Sequence, residues 1–168
     1  MNQASHYIDL LQWLFGPVAS VSASLATLGR NIEVEDTATL QLRWNNGALG
    51  TMAVTMLTYP HNLEGSITVL GQNGSVKISG KALNSIEYWH FLDDSSDDQT
   101  AKSFLPATVE IQSSPLFLFY SNIFDSLAGF SEPLCDAAQG LLSLELLSAS
   151  YLSAHKELAI PLPLDRST

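Results

Sequence analysis

The chain has 168 residues and a formal charge of −10, from 7 Lys and Arg against 17 Asp and Glu. That length predicts a single domain over residues 1–168, and 46% hydrophobic residues are enough for a packed core and too many for intrinsic disorder. The acidic balance excludes a nucleic-acid partner, no apolar run approaches the roughly 20 residues of a membrane span, and one cysteine, Cys135, excludes a disulfide scaffold.

A short helix comes first. From residue 5 the apolar side chains of Ile8, Leu10, Leu11, Trp13 and Leu14 recur at helical spacing, with Ser5 as the expected N-cap. Gly16-Pro17 stops the run. Residues 18–28 then alternate, Val21, Ala23, Leu25 and Thr27 against serines and Ala26, which predicts a strand. Residues 36–44 alternate too, with Ala38, Leu40, Leu42 and Trp44 on one side. Asn45-Asn46-Gly47 is a hairpin signal into a returning strand over 48–57. Further strands are expected over 63–70, 75–78 and 86–91, the first two joined by Gln72-Asn73-Gly74.

The run Asp93 to Asp98 reads as a solvated acidic loop. Helices are expected over 116–127 and 136–156, the second burying Ala137, Leu141, Leu144, Leu147 and Tyr151 on one face. A tail over 158–164 holds two prolines. The order predicts an α+β fold: an open, mostly antiparallel sheet with helices packed on one face. The low charged content, 14%, suggests that another subunit covers the sheet's other face, making a homo-oligomer.

The chemistry-bearing residues gather at the start. Asn2, Ser5, His6 and Asp9 fall in the first nine positions, with His6 in the first turn of the helix, where an imidazole can serve as acid or base. Arg30 is one of few cations and suits an anionic substrate; Tyr59-Pro60-His61 lies in a strand connection. The four histidines have no metal-ligand spacing, so no metal is expected. Asp93-x-Ser95-x-Asp97 lacks the glycine and late glutamate of a calcium loop. Cys135 reads as a buried thiol, and Phe117, Phe119, Tyr120 and Phe124 read as core. None of the ten glycines forms a G-x-G-x-x-G or phosphate loop. Nothing in residues 1–6 reads as a signal peptide, so a cytoplasmic location is the default expectation.

The opening Met1-Asn2-Gln3-Ala4-Ser5-His6-Tyr7-Ile8-Asp9-Leu10-Leu11, closing on Gly16-Pro17-Val18, resembles the motif that begins the C-terminal domain of the glucose-fructose oxidoreductase/inositol dehydrogenase/MocA family. Asn62-Leu63-Glu64-Gly65-Ser66-Ile67 and Gly71-Gln72-Asn73-Gly74-Ser75-Val76 resemble that family's central hairpin. The wording Asn-Gln-Ala-Ser-His-Tyr and Met-Leu-Thr-Tyr-Pro is similar to the UDP-N-acetylglucosaminuronate 3-dehydrogenases of lipopolysaccharide O-antigen synthesis. The resemblance implies an NAD-dependent oxidation of the sugar's 3-hydroxyl, with His6 as acid/base. It implies substrate contacts from Asn2, Gln3, Ser5, Arg30 and Tyr59. Asn2 stands where the wider family has Asp, and Ala4 where Gly is common. The N-terminal Rossmann domain of that family, with its cofactor loop and its lysine, is absent from this chain. No cofactor is therefore expected on the chain alone, nor turnover by it. The alternatives are a non-catalytic oligomerisation or scaffold domain, a stand-alone sugar-binding module, or the same domain serving another sugar or polyol.

Overall fold

The computed structural model describes residues 4–63, 65–80, 83–93 and 114–165. In chain order they form α1 (Ser5–Phe15), β1 (Val18–Ala26), β2 (Thr37–Trp44), β3 (Leu49–Thr55), β4 (Ile67–Gly71), β5 (Gly74–Ser79), β6 (Ser85–Phe91), α2 (Pro115–Leu127), α3 (Ala137–Lys156) and β7 (Ile160–Pro161). The chain divides into two compact units, Met1–Leu57 with Pro133–Thr168, and Thr58–Glu132. This is an α+β fold with open antiparallel sheets.

The first unit holds a four-stranded antiparallel sheet in the order β3-β2-β1-β7. The alternation in β2 sets its two faces: Ala38, Leu40, Leu42 and Trp44 are buried, while Thr39, Gln41 and Arg43 are exposed. The buried row packs with Ala4 and Ile8, with Val18 and Val21 of β1, and with Leu146 and Ala149 of α3. Both helices of this unit therefore share one face of the sheet. The hairpin between β2 and β3 closes with the Gly47 N–H donating to Trp44 O at 3.0 Å. Gly47 sits at φ +89°, and Asn46 Oδ1 accepts from the Ala48 N–H at 3.0 Å. The Asn-Gly signal is thus met by a backbone that needs a positive φ and by a side-chain turn bond.

Several expectations are corrected by these contacts. Ser5 is the first helical residue and not the N-cap; Ala4 holds that position with no side-chain cap, because Ala4 is fully buried and packing sets the start. The long helix does not bury Leu141, Leu144 and Tyr151, which are exposed; its buried residues are Leu146, Ala149, Ser150 and Ser153. Small side chains let α3 lie close on the sheet, and their hydroxyls find partners. Ser150 Oγ donates to Leu146 O at 2.8 Å. Asp136 is the N-cap of α3, its carboxylate accepting from the Gln139 N–H at 2.8 Å. The tail forms a strand, β7, which pairs with β1 at Ser20–Pro161 and Val21–Ile160, and the Leu162 N–H donates to Ala19 O at 2.9 Å.

Where β7 stops, β1 has a free edge. Ser153 closes it: its hydroxyl accepts from the Ala23 N–H at 3.0 Å and donates to Leu158 O at 2.5 Å. One buried side chain thus bridges a backbone donor and a backbone acceptor that do not pair directly. Ser153→Ala removes the partner of the part-buried Ala23 N–H and Leu158 carbonyl and is expected to cost about 1 kcal/mol, read as a lowered urea midpoint at unchanged slope. Glu157 ends α3 in the left-handed region, φ 55° and ψ 34°, a position that favours glycine. Glu157→Gly is expected to raise stability by about 1 kcal/mol in the same measurement.

The second unit holds a three-stranded antiparallel sheet, β4-β5-β6. β4 begins at Ile67, later than the expected residue 63. Its hairpin turns at Gln72 and Asn73. A Cβ on Gly74 would lie 2.2 Å from Phe91 Cδ1, so only glycine lets that ring lie over the strand. Lys77 Nζ pairs with Glu87 Oε2 at 2.6 Å. The aromatic residues of α2 are not core: Phe117, Phe119, Tyr120 and Phe124 are all exposed. Cys135, in the first unit, is likewise exposed and not buried. Residues 94–100, which carry most of the acidic run, lie outside the described residues.

Candidate functional site

Helix α1 carries the candidate acid/base. Ala4, Ile8, Leu11 and Phe15 form its core-facing stripe, and Gly16, at φ +82°, ends it. His6 is exposed on the side away from that stripe, one residue after the half-buried Ser5. Asp9, three residues on, is held from α3: Ser143 Oγ donates to Asp9 Oδ1 at 2.6 Å, and Gln12 Nε2 donates to Ser143 Oγ at 3.4 Å. The carboxylate that spacing places near His6 therefore anchors α1 to α3. Asn2 and Gln3 lie outside the described residues.

The segment between β1 and β2 forms the second feature. Asp36, 2% exposed, turns its carboxylate into the loop. Oδ2 accepts from the N–H groups of Gly29 and Arg30, both at 2.9 Å, and from Leu28 at 3.1 Å. Oδ1 accepts from the Leu28 N–H at 2.9 Å and from Thr37 Oγ1 at 3.0 Å. These donors, the Leu28 N–H foremost, hold the carboxyl down to about 2, against burial, which pushes it up. The loop is pinned at further points. Thr27 Oγ1 donates to Val34 O at 2.8 Å, and Tyr151 Oη of α3 donates to Glu35 Oε1 at 2.7 Å.

Arg30 gains its position from this loop. Its backbone N–H is one of the Asp36 donors, and its Nη2 donates to Met56 O at 3.3 Å, just past the end of β3. The guanidinium is exposed, with donors left over for an anion such as a carboxylate or phosphate. Tyr59 belongs to the second unit, is 97% exposed, and precedes Pro60 across a cis bond. Among the described residues of the first unit, no hydrogen bond, ion pair or ring contact joins His6 to Arg30.

Asp36, Ser143 and Ser153 were not singled out by the sequence reading. The signal for Asp36 was an acidic residue at the entry to a strand, six to eight positions after the amides that it binds. The two serines gave no local signal, because Ser143 meets Asp9 and Ser153 meets Ala23 across 130 or more residues.

Among the described residues every strand pairing is antiparallel, and at the start of α3 the Gln139 N–H is served by Asp136. Among the described residues no three His, Cys, Asp or Glu side chains gather where a metal could sit. Among the described residues no helix is long and apolar enough to cross a membrane.

Comparison with known proteins places this geometry in context. No curated protein sequence matches the chain. The WlbA dehydrogenase from Bordetella pertussis, crystallised with NADH and UDP-GlcNAcA, is 50% identical over 98% of this chain and 46% of its own, with a TM-score of 0.86. The WlbA dehydrogenase from Chromobacterium violaceum, also crystallised with NADH and UDP-GlcNAcA, is 51% identical with the same coverage and TM-score. A levoglucosan dehydrogenase in complex with NADH and levoglucosan, 20% identical over 96% of this chain and 49% of its own, has a TM-score of 0.75, a likeness of fold. The chain thus spans less than half the length of the WlbA structures it matches. A family profile described as "Oxidoreductase family, C-terminal alpha/beta domain" matches residues 1–162. The chain belongs to the glucose-fructose oxidoreductase/inositol dehydrogenase/MocA family, as its C-terminal alpha/beta domain.

Proposed function

We propose that this chain is the substrate-binding half of an NAD-dependent nucleotide-sugar dehydrogenase that oxidises the 3-hydroxyl of UDP-N-acetylglucosaminuronate in lipopolysaccharide biosynthesis. The observation that carries the reading is the 50–51% identity, over 98% of the chain, to two dehydrogenases crystallised with NADH and UDP-GlcNAcA. NAD binds on the other half of such a polypeptide, and this chain alone is inactive.

His6 takes the proton of the 3-hydroxyl. Its exposure on a helix anchored through Asp9 and Ser143 supports that role, because a general base must be both accessible and fixed. Arg30 meets an anionic group of the substrate, supported by a guanidinium held at Met56 O and on the Asp36 loop. Asn2, Gln3, Ser5 and Tyr59 complete the substrate contacts. The uncovered face of the first sheet, with Thr39, Gln41 and Arg43 outward, serves homo-oligomer formation, and the enzyme works in the cytoplasm.

The test joins this chain to an NAD-binding half and measures NADH formation. Turnover is expected with UDP-N-acetylglucosaminuronate and not with UDP-N-acetylglucosamine, which lacks the carboxylate. Turnover with another sugar or a polyol, and none with the uronate, would overturn the assignment of substrate.

A further inference from the structure

Helix α3 (Ala137–Lys156) reaches both the helix that carries His6 and the loop that carries Arg30, all within the first unit. Ser143 Oγ donates to Asp9 Oδ1 at 2.6 Å and so holds α1. Eight residues on, Tyr151 Oη donates to Glu35 Oε1 at 2.7 Å and so holds the segment between β1 and β2. At 1.5 Å rise per residue the two anchors lie about 12 Å apart along the helix. The stretch between them is packed on the sheet, with Leu146, Ala149 and Ser150 buried. Both anchors therefore stand on a rigid part of the unit.

The loop's other bonds are of two kinds. Some are local and give it its shape: Asp36 gathers the Leu28, Gly29 and Arg30 amides at 2.9–3.1 Å, and Thr27 Oγ1 donates to Val34 O at 2.8 Å. Others tie it to the end of β3: the Met56 N–H donates to Asp36 O at 2.8 Å, and Arg30 Nη2 donates to Met56 O at 3.3 Å. Tyr151 ties it to the helix layer, across 116 residues of sequence. Glu35 immediately precedes Asp36, so a constraint on Glu35 passes through one peptide to the carboxylate that holds the Arg30 N–H. A phenylalanine at 151 would serve the apolar pattern of α3 equally well; the hydroxyl is what reaches Glu35.

We propose that Tyr151 is a positioning residue for substrate binding. Through Glu35 it fixes the Arg30 loop on the same packed helix that holds α1, so that α3 sets the spacing between the acid/base and the anion contact. The inference rests on the reading of His6 and Arg30 as those two contacts. An anion contact free to move against the base must be ordered when substrate binds, and that cost appears in affinity. Once substrate is bound, the reacting geometry is set on α1, which Ser143 holds independently. Loss of the Tyr151 hydroxyl therefore acts on KM and leaves kcat in place.

The test uses the polypeptide that joins this chain to an NAD-binding half, with initial-rate kinetics on UDP-N-acetylglucosaminuronate. Tyr151→Phe removes one oxygen and keeps the ring. It is expected to raise KM about 3–10-fold, the worth of one exposed hydrogen bond, with kcat within about twofold of the parent. Glu35→Ala is expected to raise KM by a similar factor, and the double variant no further, because the two groups make one bond. In an Arg30→Ala background, where KM is already raised, adding Tyr151→Phe is expected to change KM less than about twofold, because the tyrosine acts through the arginine. A tyrosine that only stabilised the fold would lower the melting temperature without this split or this dependence on Arg30.

An unchanged KM in Tyr151→Phe, with the parent turning over the uronate, would overturn the proposal and leave the dehydrogenase function standing. So would additive effects of Tyr151→Phe and Glu35→Ala, or the same rise in KM with and without Arg30. An Arg30→Ala variant with the parent's KM would overturn both the role of Arg30 and the positioning role of Tyr151. A parent polypeptide with no turnover of the uronate would overturn the proposed function, and the positioning role with it.

Discussion

In the polypeptide that joins this chain to an NAD-binding half, His6→Ala lowers kcat for oxidation of UDP-N-acetylglucosaminuronate by about 10²–10⁴-fold, the usual worth of a positioned acid or base. KM changes little, because a proton acceptor contributes mainly to the transition state and not to ground-state binding. The melting temperature also stays near that of the parent. His6 is exposed, it lies opposite the stripe of Ala4, Ile8, Leu11 and Phe15, and alanine is the better helix former. The measurement is initial-rate kinetics paired with a thermal melt. A loss of less than threefold in kcat would place the proton acceptor on another residue. An equal fall in kcat and melting temperature would instead make His6 structural. Ser143 separates position from chemistry: it touches Asp9 and lies 137 residues from His6 in sequence, so its loss loosens α1 and leaves the imidazole intact.

The parts of the fold that were legible from sequence are those whose signal is local. The alternation of Ala38, Leu40, Leu42 and Trp44 fixes which face of β2 is buried, and Asn46-Gly47 supplies a turn that few other residues can make. Gly16-Pro17 ends α1 for a similar reason. What failed depends on contacts made far along the chain. The leucines of α3 outnumber the residues it buries, and hydropathy alone selects Leu141 and Leu144 over Ser150 and Ser153. A serine becomes a core residue only when Leu146 O, or Ala23 N–H together with Leu158 O, satisfies its hydroxyl. β7 is two residues long and ends in proline, so its pairing with Ser20 and Val21 leaves no pattern to read. The aromatic residues of α2 are core in composition and surface in fact. For the site, His6 and Arg30 were visible as chemistry at an exposed helix start and in a loop. Asp36, which shapes that loop, was not, because its role rests on three amides converging on one carboxylate and not on a motif.

Asp36→Asn is expected to give the largest loss of stability of any substitution in the segment between β1 and β2. The native carboxylate accepts on both oxygens: three amides on Oδ2, one amide and the Thr37 hydroxyl on Oδ1. An amide side chain offers one acceptor oxygen and turns two N–H donors toward groups that are themselves donors. Either rotamer of asparagine therefore leaves backbone amides unserved at a site only 2% exposed. The pH dependence follows from the same contacts. The folded carboxyl sits at about 2, whereas an unfolded chain binds the proton near its ordinary value of about 4. Because the folded value is the lower one, the carboxylate's contribution is complete above about pH 4 and is lost as pH falls toward about 2. The wild-type chain should thus lose stability steeply through that window, and Asp36→Asn should be less stable at neutral pH and show a shallower slope there. Urea melts at neutral pH and across the acid range measure both. Equal neutral-pH midpoints, or equal acid slopes, would mean that the amide cluster does not hold the loop. If the loop does loosen, Arg30 loses its place beside Met56 O. Asp36→Asn in the joined enzyme should then raise KM for the UDP-sugar more than it lowers kcat, the opposite of the split expected for His6→Ala.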